Sequence, residues 1–235
     1  MSSTNKPEHS TGTKLLSKHD ERVAGFTDVA LYFVLPLSIM LILRFFVFGL
    51  FVIPSGSMED TLAIGSRIVT RNVGINRDTL KRGDVVVFSD DAGWLGSSSA
   101  SATLESGSAS HTLGFGGNKQ YLVKRLIGMP GDVVASKGNG APVTVNGKAI
   151  DETSYIKRGV EPSTQAFSVT VPENSIFVMG DNRSNSADSR YHFDDGNSGC
   201  VRISSVTGVG LAVFWPISQW HGLGNGRAAF EKVGM

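Results

Sequence analysis

The chain has 235 residues and a mass of 25.0 kDa, 40% of it apolar, and its 22 basic and 21 acidic side chains leave a formal charge of +1. That length buries one or two cores, and the near-cancelling charge excludes both a polyanion binder driven by a bulk positive field and an acidic disordered chain, so no nucleic-acid partner is expected. The single cysteine, Cys200, excludes an internal disulfide, a C-x-x-C redox pair and a cysteine zinc cluster. His9, His19, His111 and His221 show no ligand spacing of the H-E-x-x-H kind, which speaks against a metalloprotease; no metal or organic cofactor is expected.

Residues 1–25 are polar and aperiodic, with Lys6, Lys14, Lys18 and Arg22 set against Glu8, Asp20 and Glu21, which reads as a flexible tail. A mean hydropathy of +0.00 in a chain with 28 glycines means that apolar residues are concentrated somewhere, and Val29 to Ile53 holds one charge, Arg44. That is transmembrane length, so residues 26–50 are expected to form a single membrane anchor. A secretory signal peptide has a shorter apolar core, and an uncleaved anchor fits better. An arginine at the bilayer centre costs roughly 2.5 to 3.5 kcal/mol on insertion scales, which places Arg44 near the outer interface and allows the span to end near residue 44. Phe45 to Ile53 would then leave the helix as an aromatic, β-leaning segment on or in the membrane surface. The basic residues of the tail put the N-terminus inside and the remainder outside the cytoplasmic membrane.

Residues 51–235 read as a mainly β domain. Short apolar runs at Arg67 to Thr70, Asp84 to Phe88, Tyr121 to Ile127, Asp132 to Ala135, Val143 to Val145, Phe167 to Val171, Ile176 to Met179 and Val206 to Phe214 alternate with turn residues. Asn146-Gly147 is a hairpin signal. A serine- and glycine-rich stretch over about 89–119 reads as a long surface loop.

Four stretches carry chemical interest. Ile53-Pro54-Ser55-Gly56-Ser57-Met58 follows the apolar segment; as a nucleophile Ser57 would need a base, and no S-x-x-K motif supplies one, because Asp60 stands at the lysine position. In Tyr121 to Asp132, strand alternation puts Leu122, Lys124 and Leu126 on one face and Val123, Arg125 and Ile127 on the other. A free lysine is neutral only about once in 2,500 molecules at pH 7. Desolvation by leucine neighbours favours the neutral amine that a base requires, while a lysine snorkelling from an edge strand explains the stretch equally well. Gly180 to Arg190 alternates Asp and Arg too densely for core and reads as a loop pinned by ion pairs. Gly83-Asp84-Val85-Val86-Val87-Phe88 reads as a turn entering a buried strand.

Taken in order, P-S-G-S-M, G-D-V-V-V-F, Y-L-V-K-R-L-I-G-M-P-G-D and G-D-N-R-S-N-S-A-D-S-R resemble the boxes of bacterial type I signal peptidases, membrane-bound serine proteases that use a serine and lysine pair. The resemblance runs from about Arg44 to Leu211. It implies a signal-peptidase-type β-rich catalytic domain after a single transmembrane helix. It also implies Ser57 as nucleophile, Lys124 as general base, Ser55 with the Ser57 N–H as the oxyanion hole, Ser186 as the residue orienting the lysine, and Asp188 and Arg190 as a loop brace. Met58 matches a packing or cleft position, and Asp60 stands where the family often has proline. The implied partners are preproteins bearing signal peptides, the lipid bilayer and, transiently, the export machinery.

Three rival readings predict other features. A self-cleaving repressor with the same serine–lysine chemistry predicts an N-terminal DNA-binding domain or a soluble chain, against which the apolar segment stands. A sortase-like transpeptidase would use Cys200 with His192 and Arg190 or Arg202, yet no apolar strand positions the thiol. An anchored, non-catalytic β-rich binding protein would have no need to keep Ser55, Ser57, Lys124 and Ser186 together.

Overall fold

A computed structural model describes residues 28–95, 110–111 and 120–233, so the tail expected over 1–25 and most of the serine-rich loop lie outside the described residues. The chain divides into two units after Phe45. In the first, a π-helical turn at Ala30–Val34 leads into helix α1 (Leu35–Phe46), and the apolar side chains from Val29 to Ile42 lie exposed along it. Among the described residues no helix is long and apolar enough to cross a membrane.

The second unit is built from thirteen described strands in two antiparallel sheets. The first strands are β1 (Phe48–Val52), β2 (Arg67–Arg71), β3 (Val85–Ser89), β4 (Ser110–His111), β5 (Tyr121–Gly128) and β6 (Val133–Lys137). There follow β7 (Thr144–Val145), β8 (Lys148–Ala149), β9 (Ala166–Thr170), β10 (Ser175–Met179), β11 (Val201–Arg202), β12 (Val206–Trp215) and β13 (His221–Gly222). The larger sheet runs β11-β10-β5-β3-β12-β2-β1-β4, with β13 on β12, and the smaller runs β8-β7-β6-β9. The eight apolar runs read from the sequence all become strands, because each carries β-branched or aromatic residues between turn signals. Asn146 and Gly147, at φ 53° and 76°, make the two-residue turn between β7 and β8.

Two expectations need correction. Residues 48–52 form a strand within the sheet: β1 pairs with β2 on one side and β4 on the other, Phe51 is fully buried, and Phe48, Leu50 and Val52 are half-buried. The range 26–50 expected for the anchor therefore overlaps a strand of the sheet, since a segment alternating buried and half-buried residues satisfies its backbone by pairing. Of the expected loop, Ser110–His111 is the strand that pairs with the end of β1.

β5 decides the position of the site. It lies between β3, which pairs with its residues 121–125, and β10, which pairs with its residues from Arg125 to Gly128, and all eight of its residues are buried. A lysine snorkelling to solvent is ruled out by the burial of Lys124. Three apolar clusters surround β5: Leu122 and Leu126 join one with Val86, Phe88 and Ile176; Val123 joins another with Phe51, Met58 and Val87; Ile127 joins a third with Phe167 and Phe177.

Candidate active site

Ser57 sits in a single 3-10 turn, Gly56–Met58, just beyond β1. The turn is anchored by apolar side chains: Met58 and Leu62 are buried in the cluster around Phe51 and Ile68, and Leu62 N–H donates to Met58 O at 2.7 Å. Ser55, extended at φ −125° and ψ 156°, leads into it and brings its hydroxyl to 3.4 Å from Ser57 Oγ.

Lys124 comes from the middle of β5, opposite Val86 of β3, and its Nζ donates to Ser57 Oγ at 2.7 Å. The residue is 3% exposed. Burial strips water from the ammonium and brings the lysine from 10.5 down to about 8; the carboxylates of Asp188 and Asp181 pull the other way, and Arg190 adds to the fall. An amine that is half neutral near pH 8 can take a proton from a serine hydroxyl.

The loop after β10 forms the wall behind this pair. Asp188 accepts from Arg190 Nε and Nη2 at 2.8 and 2.9 Å and from Gly180 N–H at 2.9 Å. Burial pushes the Asp188 carboxyl up, yet these bonds and the Arg190 charge bring it below its ordinary value. Arg190 Nη2 also donates to Arg183 O at 3.0 Å, tying the two ends of the loop.

Ser186 departs from expectation. Its hydroxyl is buried and makes no hydrogen bond, so the bond that would orient Lys124 is not formed. Gly180 has no Cβ, and the Ser186 side chain fills the space that a Cβ there would occupy, beside Ser57 O.

Several residues that support the site were not singled out from sequence. Arg125, adjacent to Lys124 but on the other face of β5, is fully buried and pairs with Asp181 at 2.8 and 2.6 Å. Thr61 Oγ1 donates to Asp181 at 2.6 Å, Arg125 Nη1 donates to Gly83 O at 2.7 Å, and the guanidinium lies 4.3 Å over the Tyr155 ring. This knot joins the segment after the nucleophile turn, β5 and the loop after β10. Arg183 pairs with buried Glu152, and Arg82 makes a bidentate pair with Asp132 at 2.7 Å. The available signal was the alternation itself, because an arginine among core residues requires a buried acid. Its partner, 56 positions away, was beyond sequence reasoning.

Cys200 is buried, and burial, followed by Asp195, pushes its thiol up to about 12. That is the opposite of what a nucleophilic thiol needs, and it argues against the sortase-like reading.

A serine hydroxyl held against a buried amine of lowered basicity is an arrangement found in hydrolases that work through a covalent ester. Comparison with known proteins agrees. The family described as signal peptidase, peptidase S26, matches residues 26–215, and the chain belongs to it. It is 33% identical over 230 residues to a probable signal peptidase I of Mycobacterium leprae, covering 84% of this chain and 79% of that one. It is 30% identical over 239 residues to signal peptidase I of Mycobacterium tuberculosis, covering 90% and 81%. Signal peptidase I T of Bacillus subtilis is 27% identical over 219 residues, covering 90% and 96%. As a member of this family the protein is a serine peptidase that removes signal peptides.

Proposed function

We propose that the protein is a membrane-anchored endopeptidase in which Ser57 is the nucleophile and Lys124 its general base, acting on exported preproteins with small residues before the cut. The observation that carries this is the 2.7 Å contact between Ser57 Oγ and the Nζ of a buried lysine brought to about 8. In the neutral form Lys124 takes the Ser57 proton as Oγ bonds to the scissile carbonyl carbon. The carbonyl oxygen becomes an oxyanion facing the Ser57 N–H and the Ser55 hydroxyl, donors of a kind worth about 3 to 4 kcal/mol each. The tetrahedral intermediate collapses, the C–N bond breaks, and the Lys124 ammonium protonates the departing amine. Lys124, neutral again, deprotonates a water that hydrolyses the Ser57 ester and returns the serine proton.

The roles of the surrounding groups follow from their contacts. Asp188 and Arg190 hold the loop behind Lys124 and keep Gly180 N–H satisfied. Ser186, whose hydroxyl is buried without a partner, is the residue that would orient the lysine in a substrate complex.

Anchoring is supported by the apolar run with Arg44 as its only charge and by the exposed apolar helix from Val29 to Ile42. The N-terminus lies inside and the catalytic domain outside the cytoplasmic membrane, where an anchored precursor presents its cleavage segment near Ser57. An extended segment is suited to binding by strand addition, with small pockets admitting alanine-like residues at the first and third positions before the cut. The decisive test pairs two measurements. Ser57→Ala should abolish precursor cleavage while the protein stays in the membrane pellet after carbonate extraction. Cleavage at the wild-type rate by that variant would remove Ser57 from the mechanism, and release by carbonate would remove the anchor.

A further inference from the structure

The nucleophile turn is gripped by a residue to which the mechanism above assigns no part. Asn182 reaches it twice: its backbone N–H donates to Ser57 O at 3.0 Å, and its side-chain Nδ2 donates to Gly56 O at 3.0 Å. These carbonyls belong to the peptides on either side of Ser57, so both planes are held by one residue. In a trans peptide the carbonyl and the next N–H lie in one plane and point in opposite directions within it. The Gly56–Ser57 bond is trans, the described cis bonds being Glu59–Asp60 and Trp215–Pro216. A donor that fixes the Gly56 carbonyl therefore fixes the direction of the Ser57 N–H, which is the oxyanion donor.

The amide itself is oriented. Asn182 is 2% exposed; its Oδ1 accepts from Ser184 Oγ at 3.0 Å, and its Nδ2 also lies 3.5 Å from Glu59 Oε2. Glu59 Oε2 in turn accepts from Lys157 Nζ at 2.8 Å. A donor facing Oδ1 and a carboxylate facing Nδ2 leave one of the two amide orientations satisfied. Glu59 N–H adds a longer bond to Gly56 O, 3.3 Å, from within the turn. Asn182 is thus the only described residue outside the turn that the hydrogen bonds link to the Gly56 carbonyl.

We propose that Asn182 is the positioning residue of the oxyanion hole, aiming the Ser57 N–H through the Gly56–Ser57 peptide without touching substrate. This rests on Ser57 being the nucleophile. The test is Asn182→Asp, which keeps side-chain size and places an oxygen where Nδ2 faced Gly56 O and Glu59. The full chain is assayed in detergent with a precursor peptide, and inhibition is measured with a peptide aldehyde of the same sequence before the cut, whose hemiacetal oxygen sits where the oxyanion forms. The expected result is a fall in kcat of about 100-fold, the lower end for loss of an oxyanion donor, with KM within about threefold. The aldehyde inhibition constant should rise by a similar factor. A lesion that merely lowers the fraction of folded enzyme leaves that constant unchanged, so lost kcat with wild-type inhibition overturns the proposal, as does wild-type kcat. Should Asn182→Asp not fold, Ser184→Ala frees the amide to flip; a loss of about 3- to 10-fold in both readouts is expected, and no change in either overturns the proposal. Ser57→Ala is run alongside: if it still cleaves, the nucleophile assignment fails, whereas an inactive Ser57→Ala beside a fully active Asn182→Asp refutes the positioning role alone.

Discussion

The basicity of Lys124 sets a quantitative prediction for the pH dependence of cleavage. With the folded amine at about 8, roughly one molecule in eleven carries the neutral base at pH 7, half at pH 8 and about ten in eleven at pH 9. An ordinary lysine at 10.5 would be neutral only about once in 3,000 molecules at pH 7. Burial therefore enlarges the active fraction about 300-fold there, equivalent to roughly 3 kcal/mol. The sign is set by competition: desolvation penalises the ammonium, Asp188 and Asp181 favour it, and desolvation prevails. Measured on a precursor peptide without ionisable groups near the cut, kcat/KM should rise about tenfold per pH unit below 7 and level off above 9, with its midpoint near 8, since kcat/KM reports the free enzyme. A flat profile between pH 6.5 and 9, or a midpoint above 10, would refute the assignment of a desolvated lysine base. Lys124→Arg should be inactive throughout, because guanidinium stays protonated.

Lys124→Met should be inactive but more stable than wild type by about 2 kcal/mol at pH 7, read by urea unfolding, since it removes the cost of a buried ammonium and gives up one hydrogen bond to Ser57. The folded value lies below the unfolded one, so the unfolded chain binds more protons between about pH 8 and 10.5. Wild-type stability should therefore climb with pH across that window, and the variant should lack this climb; parallel curves would contradict it. Arg125→Ala leaves Asp181 as an unpaired buried charge and should cost about 3 to 5 kcal/mol in chemical denaturation, and a loss under 1 kcal/mol would mean the pair is dispensable. In Gly180→Ala the new methyl would stand 2.6 Å from Ser57 O and against the Ser186 hydroxyl. It should lower kcat more than it raises KM, and unchanged kinetics would show that the loop can retreat from the nucleophile.

The periodicity of the chain revealed most of the strands and the order of the chemical stretches. Ser57, Ser55, Lys124, Ser186, Asp188 and Arg190 were all named from motifs, and the structure brings Ser57, Ser55 and Lys124 into contact. It does not form the Ser186 bond, because a free hydroxyl has several rotamers and the motif fixes none of them. Arg125 with Asp181, Arg183 with Glu152, and Asn182 on Gly56 were hidden for one reason. Each joins segments from 31 to 126 positions apart, and sequence spacing carries no information about such encounters.

By itself, the sequence determined that this chain has an apolar segment ahead of a β-rich domain without disulfides. Those are properties of residue type and local order, which composition and period record directly, whereas the serine and lysine pair entered through the resemblance of the ordered motifs to a family. Only the tertiary structure decided what surrounds the Lys124 amine. The same eight residues of β5 on a sheet edge would have left the amine in water and charged. Placed between β3 and β10, they bury it against Ser57. Desolvation is a property of everything packed around a group, so the basicity of this lysine belongs to the fold rather than to its sequence neighbours.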